Sequence, residues 1–318
     1  MLMFAVIAPD TFDPAIFIDN EHKINAEILF RGINTNGLLL TDPTGKIEQD
    51  IIRNISSLPT SFGQKLQIWM QELLKNKRKR IVKCNEVLFK SYVSASCGSD
   101  CEAVVLSCDA DALITGKCFI AKHYPQNKII EISDYVNSSF ESERYKFADN
   151  FPPIDTIPLS SVDDIFNRIV KFAKWLRIYD KQIGSGKNTT QFRVGLEYVI
   201  GKWINNGHFS PTGDIKIYTA TTSNCSVTRD NIKNKLHNDL IVPLRNKYNL
   251  PISLVMKYDD SSIFHARHIE AQVVIVNIER GLDMFKVRNG FKRNFLKIDN
   301  AAYDHLRECR DLPDVFTI

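Results

Sequence analysis

Three carboxylates in the first half of this chain stand where hydrolytic chemistry would need them. Asp10 follows the apolar run Met3-Phe4-Ala5-Val6-Ile7-Ala8, Glu48 lies in a helical segment after a second apolar run, and Asp100 opens a third segment. In an open parallel sheet, strand C-terminal ends and helix N-termini gather at one edge, the usual ligand crevice. Three carboxylates meeting there could hold Mg²⁺ or Mn²⁺, which prefer hard oxygen ligands. Such an ion activates water and neutralises a scissile phosphate. Glu102, Asp109 and Asp111 are further acids nearby. The structural alternative makes Asp10 a turn residue, Asp100 a helix cap and Glu48 a surface charge. The same region holds Cys97, Cys101, Cys108 and Cys118, but their spacing fits no two-knuckle zinc pattern and reads as buried free thiols.

Bringing those acids together requires a parallel sheet with helices between its strands. Met3–Ala8 reads as a buried strand stopped by Pro9-Asp10. A short helix is predicted near Ile24–Gly32, and a strand over Gly37–Leu40 closed by the turn residues Asp42-Pro43-Thr44-Gly45. Apolar residues recur at helical period over Ile47–Ile55. Thr60 or Ser61 could cap a helix from Phe62 to Asn76. Ile81–Cys84 reads as a strand, Asp100–Ala110 as a helix, and Ala112–Thr115 and Lys128–Ile132 as strands. The Pro-rich stretch from Phe151 to Pro158 makes 149–160 a linker between domains over 1–148 and 161–318. The second half is read as a helix from Ser161 to Tyr179, a helix over Thr190–Asn205, and a strand over Ile215–Thr219. A helix over Arg229–Tyr248 and strands over Ile252–Tyr258, Ile263–Ile269 and Gln272–Ile278 complete it. Strands alternating with helices predict the α/β class for both halves, the first with a mainly parallel sheet.

Length and charge agree with two units. The 318 residues exceed one typical domain, and 44% hydrophobic with 25% charged residues excludes a collagen-like or wholly disordered chain. No apolar run approaches the roughly 20 residues that span a bilayer. Met1–Asp10 lacks the charged n-region and cleavage site of a signal peptide. Seven scattered cysteines suit free thiols in a reducing cytoplasm. Residues 160–318 hold 24 Lys/Arg against 17 Asp/Glu, leaving the first 159 with 17 against 20. An acidic half joined to a basic half fits a catalytic module beside an anion binder, or chance asymmetry between ordinary domains. Lys75–Arg80 is a dense basic run, either a solvated helix end or a phosphate-contacting patch. Lys286, Arg288, Lys292, Arg293 and Lys297 alternate with Phe285, Phe291 and Phe295. That mixture suits nucleic acid, an anionic membrane surface, or core aromatics beside a solvated loop.

The order of elements over residues 1–145 resembles the PIN-like nuclease superfamily. The likeness rests on Asp10 after the first strand, Glu48 on an early helix, and Asp100 opening a helix before a strand of the form (L/V)-(I/V)-T-x-D. Here that strand reads Ile114-Thr115-Gly116-Lys117, with lysine in place of the final Asp. The resemblance implies a PIN-like α/β sandwich cleaving nucleic acid with Mg²⁺ or Mn²⁺ held by Asp10, Glu48 and Asp100.

Residues 165–318 resemble the phospholipase-D-like domain at the C-terminus of MIT-domain proteins and of bacterial relatives. That pattern is approximately S-x-I-H-x-R-x-I, a strand, then G-R-G-L-D-x-F. This chain supplies His265, Arg267, Ile269, Arg280, Gly281, Leu282, Asp283 and Phe285, with Ile178-Tyr179-Asp180 upstream. An active phospholipase-D-type site uses H-x-K, a downstream Asp and G-S-x-N. Here Arg267 replaces the lysine, Gln272 stands at the Asp position, and no G-S-x-N follows. With one motif copy, two-histidine chemistry would need a homodimer with facing sites. The resemblance therefore implies a degenerate, binding domain. His265, Arg267 and Arg280 could hold a phosphate, since guanidinium offers a planar fork of donors, with Asp283 orienting an arginine. An Arg–Asp pair that only braces the fold is the alternative.

Together these readings describe a cytoplasmic nucleic-acid-processing effector. Metal-dependent phosphodiester hydrolysis falls to the first domain and recognition of phosphate, nucleic acid or a protein partner to the second. The fusion style points to prokaryotic stress or antiviral defence. The alternative is a non-catalytic scaffold for nucleic acid, anionic lipid or protein.

Overall fold

Five short apolar runs build the first sheet. They are β1 (Met3–Ile7), β2 (Gly37–Thr41), β3 (Ile81–Lys83), β4 (Ala103–Leu106) and β5 (Ile129–Glu131). The computed structural model describes residues 2–15, 17, 20–75, 80–84, 101–107, 128–146, 151–209, 214–222, 229–284 and 294–318. The chain divides into two compact units, Met1–Ala148 and Asp149–Ile318.

In the first unit the strands lie in the order β3-β2-β1-β4-β5, every pairing parallel. β1, β2 and β4 are buried along their whole length, as strands of a parallel sheet covered on both faces must be. α1 (Asn20–Asn36), α2 (Lys46–Ser56) and α3 (Thr60–Lys75) separate the first three strands, and α4 (Ser139–Lys146) closes the unit. α2 buries Ile47, Ile51 and Ile55, one residue per turn, as its periodicity predicts.

The helix expected over 100–110 is not what Ala103–Leu106 forms. Ala103, Val104 and Val105 pair with β1, Ala5 opposite Ala103 and Ile7 opposite Val105. A fully buried strand has no alternation to separate it from a buried helix, so periodicity does not distinguish the two here. Arg80, from the basic run, is fully buried and donates toward the Gly37 and Thr35 carbonyls, so it braces the sheet. Lys77 to Lys79 and the expected strand at Ala112–Thr115 lie outside the described residues.

The second unit carries a seven-stranded mixed sheet in the order β11-β10-β9-β6-β7-β8-β12. Its strands are β6 (Leu176–Asp180), β7 (Ile215–Thr221), β8 (Ile252–Tyr258), β9 (Arg267–Ala271), β10 (Ile275–Ile278), β11 (Leu296–Ile298) and β12 (Asp314–Thr317). β6, β7 and β8 run parallel, whereas β9, β10, β11 and β12 join by antiparallel pairings. Its helices are α5 (Leu159–Val170), α6 (Thr189–Asn206), α7 (Arg229–Leu236), α8 (Val242–Tyr248) and α9 (Tyr303–Asp311).

Four expectations change here. The helix predicted to reach Tyr179 ends at Val170, and Leu176–Asp180 is the strand next to the antiparallel half of the sheet. Its alternating Leu176, Ile178 and Asp180 against Arg177 and Tyr179 are a period-two pattern. Residues 151–160 are not a free linker. Phe151 and Ile154 are buried, their amides donate to Leu296 and Asn294, and Leu159 already begins α5. The strand expected over Ile263–Ile269 starts only at Arg267, because Asp259 holds the preceding residues in a turn by accepting the Ile263 and Phe264 amides, both at 2.9 Å. The single helix expected over Arg229–Tyr248 opens into a π-turn at His237–Ile241, just before Pro243, whose ring cannot donate the next helical bond.

Candidate functional site

At the C-terminal edge of the first sheet, successive strands each deliver a polar side chain. Asp10 lies in the short turn Pro9–Phe12 after β1, Asp42 follows β2, Lys83 ends β3, and Ser107 follows β4. The chain leaves β1 for β2 on one side and later adds β4 on the other, so Asp10 stands at the topological switch point. Its turn is anchored from both sides. The Ala8 amide and the Thr11 hydroxyl donate to the Val105 carbonyl at 2.9 and 3.2 Å, and Asn54 of α2 donates to the Pro9 carbonyl at 2.7 Å. Asp10 is solvent-exposed, yet the protein around its carboxyl still raises the pKa, burial being the largest cause and Asp13 adding to it. A hydrogen bond from Ser107 works in the opposite direction. A carboxylate poised this way takes up a proton more readily than an ordinary Asp, which suits it to deprotonate water.

A second group adjoins the start of α2. Gly45 adopts the left-handed conformation, with φ +76°. A Cβ there would lie 2.9 Å from Lys83 Nζ and 4.0 Å from Glu48 Oε2, so both side chains converge over this glycine. Burial raises the Glu48 pKa, Lys83 opposes the rise and Asp42 adds to it. Asp42 is spent on the fold: Oδ1 accepts the Ile47 amide at 2.8 Å, and Oδ2 accepts the Lys46 and Thr44 amides and the Thr44 hydroxyl. Burial opposes its ionisation, but those bonds outweigh it and hold the carboxyl below the ordinary range.

Of the acids singled out in the sequence, Asp10 and Glu48 both reach this edge. Asp100 lies outside the described residues, and Ala103–Leu106, expected to continue its helix, form strand β4 instead. Among the described residues no group of three or more His, Cys, Asp or Glu is placed to hold a metal ion. Lys83 and Ser107 went unnoticed in the sequence. Their only signal was position, a polar residue ending or directly following an apolar run. Cys84, Cys101 and Cys309 are buried cysteines, while Cys97, Cys108 and Cys118 lie outside the described residues.

In the second unit, Arg267 opens β9 in register with Asp180 of β6, and its guanidinium donates to the Glu279 carbonyl at 2.7 Å. Asp180 is fully buried and accepts the Gln182 and Leu282 amides at 2.9 and 3.0 Å. Burial pushes its carboxyl up to about 6, against relief from those amides and from Arg267, and Asp283 adds to the rise. Arg267 and Asp283 thus gather at Asp180. His265 and Arg280 are exposed, and among the described residues no hydrogen bond or ion pair joins either to Arg267. The buried histidine is His268, whose Nδ1 accepts the Arg267 amide at 3.1 Å while Nε2 faces Asp299 at 3.1 Å. Lys286, Arg288, Lys292, Arg293, Phe285 and Phe291 lie outside the described residues.

No family model matches the chain, and no curated protein matches it.

Proposed function

We propose that the first unit hydrolyses phosphodiester bonds in nucleic acid, with its reacting centre at Asp10. The observation that carries this reading is the position of Asp10 at the switch point of an all-parallel sheet, exposed to substrate and raised in pKa by its surroundings. Asp10 and Glu48 offer the hard oxygen that Mg²⁺ or Mn²⁺ takes, but the described residues complete no three-ligand set, so they do not by themselves fit a metal ion. What this edge does with its own residues is proton transfer. The Asp10 carboxylate accepts a proton from a water that forms a bond to phosphorus, the phosphorus–oxygen bond to the leaving group breaks, and the leaving oxygen takes a proton from solvent; Ser107 orients the carboxylate, and Lys83 offers a positive charge beside Glu48.

The test is incubation of the whole protein with labelled single- and double-stranded RNA and DNA in Mg²⁺, Mn²⁺ or EDTA, with Asp10→Asn alongside. Products that vanish in Asp10→Asn support the reading, and products that persist remove Asp10 from the mechanism. Turnover confined to the metal lanes would add a metal ion to this edge, and turnover in EDTA would assign Asp10 the role of base alone. One observation favours a non-catalytic scaffold instead: Asp42 caps a helix and Arg267 is bonded within its own unit, so two prominent charges serve the fold. A salt-sensitive gel shift without products in any lane would select that reading.

A further inference from the structure

One face of the second sheet carries a group that this reading leaves unused. Trp175, Arg177 and Tyr179 occupy alternate positions on and just before β6, and Lys216 and Tyr218 stand in register beside Arg177 and Tyr179 on β7. The Tyr179 and Tyr218 rings stack at 5.1 Å, nearly parallel at 12°, and the Arg177 guanidinium lies 4.4 Å from the Trp175 ring centroid. α9 covers part of this face with Leu306, Cys309 and Arg310. Beyond α9 the Arg177 side chain stays 34% exposed and that of Lys216 41%.

The charges there do not balance. Glu270 is buried and accepts the Tyr179 hydroxyl at 2.7 Å and Arg310 Nη1 at 2.9 Å, and Arg177 Nη1 lies 3.7 Å away. Two guanidiniums share one carboxylate, which leaves one positive charge directed at solvent. Asp214 faces Lys216 at 3.8 Å with 62% exposure, a solvated pair of little strength. The Tyr218 hydroxyl sits in the field of Arg177, Arg310, Glu270 and Asp314, and among the described residues it has no hydrogen-bond partner. Asp314 itself is engaged by Lys257 at 2.5 Å.

We propose that this face binds single-stranded nucleic acid, with phosphates held by Arg177 and Lys216 and a base stacked on Trp175. An indole beside a guanidinium is a flat platform that accepts any base, and neighbouring cations track the backbone. The large exposed hydrophobic residues include none on β6 or β7, so this face lacks the apolar wedge that would enter a bilayer. The surface belongs to the other unit from Asp10 and does not depend on cleavage.

The test is fluorescence anisotropy of labelled poly(U) and poly(dT) oligonucleotides with the whole protein in EDTA, across a salt series. Lys216→Gln changes an exposed side chain and leaves the fold intact. It is expected to reduce the slope of log affinity against log salt by about 0.7, one contact's worth for a single strand. Trp175→Ala is expected to weaken binding at least about fivefold with the slope unchanged, the low end for one base–aromatic stack. Lys187→Gln, exposed elsewhere in the unit, should change neither. The proposal is overturned if Lys216→Gln and Trp175→Ala bind as the parent does, or if Lys187→Gln has the same effect as Lys216→Gln. Equal affinity for duplex, or binding only to phosphatidylserine vesicles, overturns it as well. Asp10→Asn should bind fully here while losing cleavage, so the two proposals fail separately.

Discussion

Two carboxyls show how surroundings set the behaviour of a single residue. Glu48 and Asp180 are both raised by burial, but only Glu48 has a lysine converging on it over a glycine. Replacing that lysine, Lys83→Met, should move the Glu48 midpoint further up, as read by NMR titration of its side-chain carboxyl. Asp180 sits at about 6 folded against an ordinary 3.8. The folded state therefore binds this proton more tightly than the unfolded state. Asp180 contributes its stability fully below about pH 4, and the contribution is lost as pH rises through about 6, about 3 kcal/mol in all. Asp180→Asn should flatten that part of the stability–pH curve, measured by urea unfolding at several pH values. An unchanged curve would mean that Asp180 is ionised in the fold without penalty.

Elements are held by a few specific approaches that sequence periodicity does not describe. Gly281 has φ +77°, and a Cβ there would lie 2.2 Å from the Asp180 carboxylate. Gly281→Ala should destabilise the second unit by more than about 2 kcal/mol, combining the left-handed cost with displacement of a buried acid. In the first unit, α4 is tied to α1 through Arg144, which donates to Glu141 at 2.6 Å and to Asn36 at 3.1 Å, while Tyr135 donates to Glu141 at 3.0 Å. Gly32 makes room, since a Cβ there would lie 2.6 Å from Arg144 Nε. Arg144→Ala should cost about 3–5 kcal/mol in chemical denaturation, because it leaves the Glu141 charge buried and unpaired.

At the scale of the whole molecule, the division at Asp149 has a practical consequence. Phe151 and Ile154 are 4% and 0% exposed and pack within the second unit. A fragment beginning at Ser161 forfeits both, at about 1.5–3 kcal/mol for each buried side chain, a large part of a domain's net stability. It should unfold at markedly lower urea than a fragment beginning at Asp149, and equal midpoints would show that the Pro-rich stretch adds nothing. No helix among the described residues is long and apolar enough to cross a membrane.

The sequence by itself determined the local periods and the punctuation. The run at Met3–Ile7, stopped by Pro9-Asp10, reads as a buried strand, and Ile47, Ile51 and Ile55 recur at the period of a helix facing a core. Those signals sufficed to place Asp10 at a strand end and to put both units in the α/β class. Tertiary structure decided what depends on partners distant in sequence. Whether Ala103–Leu106 is helix or strand rests on hydrogen bonds to β1, nearly a hundred residues away, because a short apolar run satisfies either conformation until a neighbour offers its edge. The same holds for Leu176–Asp180, whose alternation becomes decisive only when β7 and β9 flank it. Asp180, Lys83 and the Trp175–Arg177 pair were visible as letters, but burial, convergence and leftover charge are properties of the space around a side chain, and sequence spacing does not encode that space.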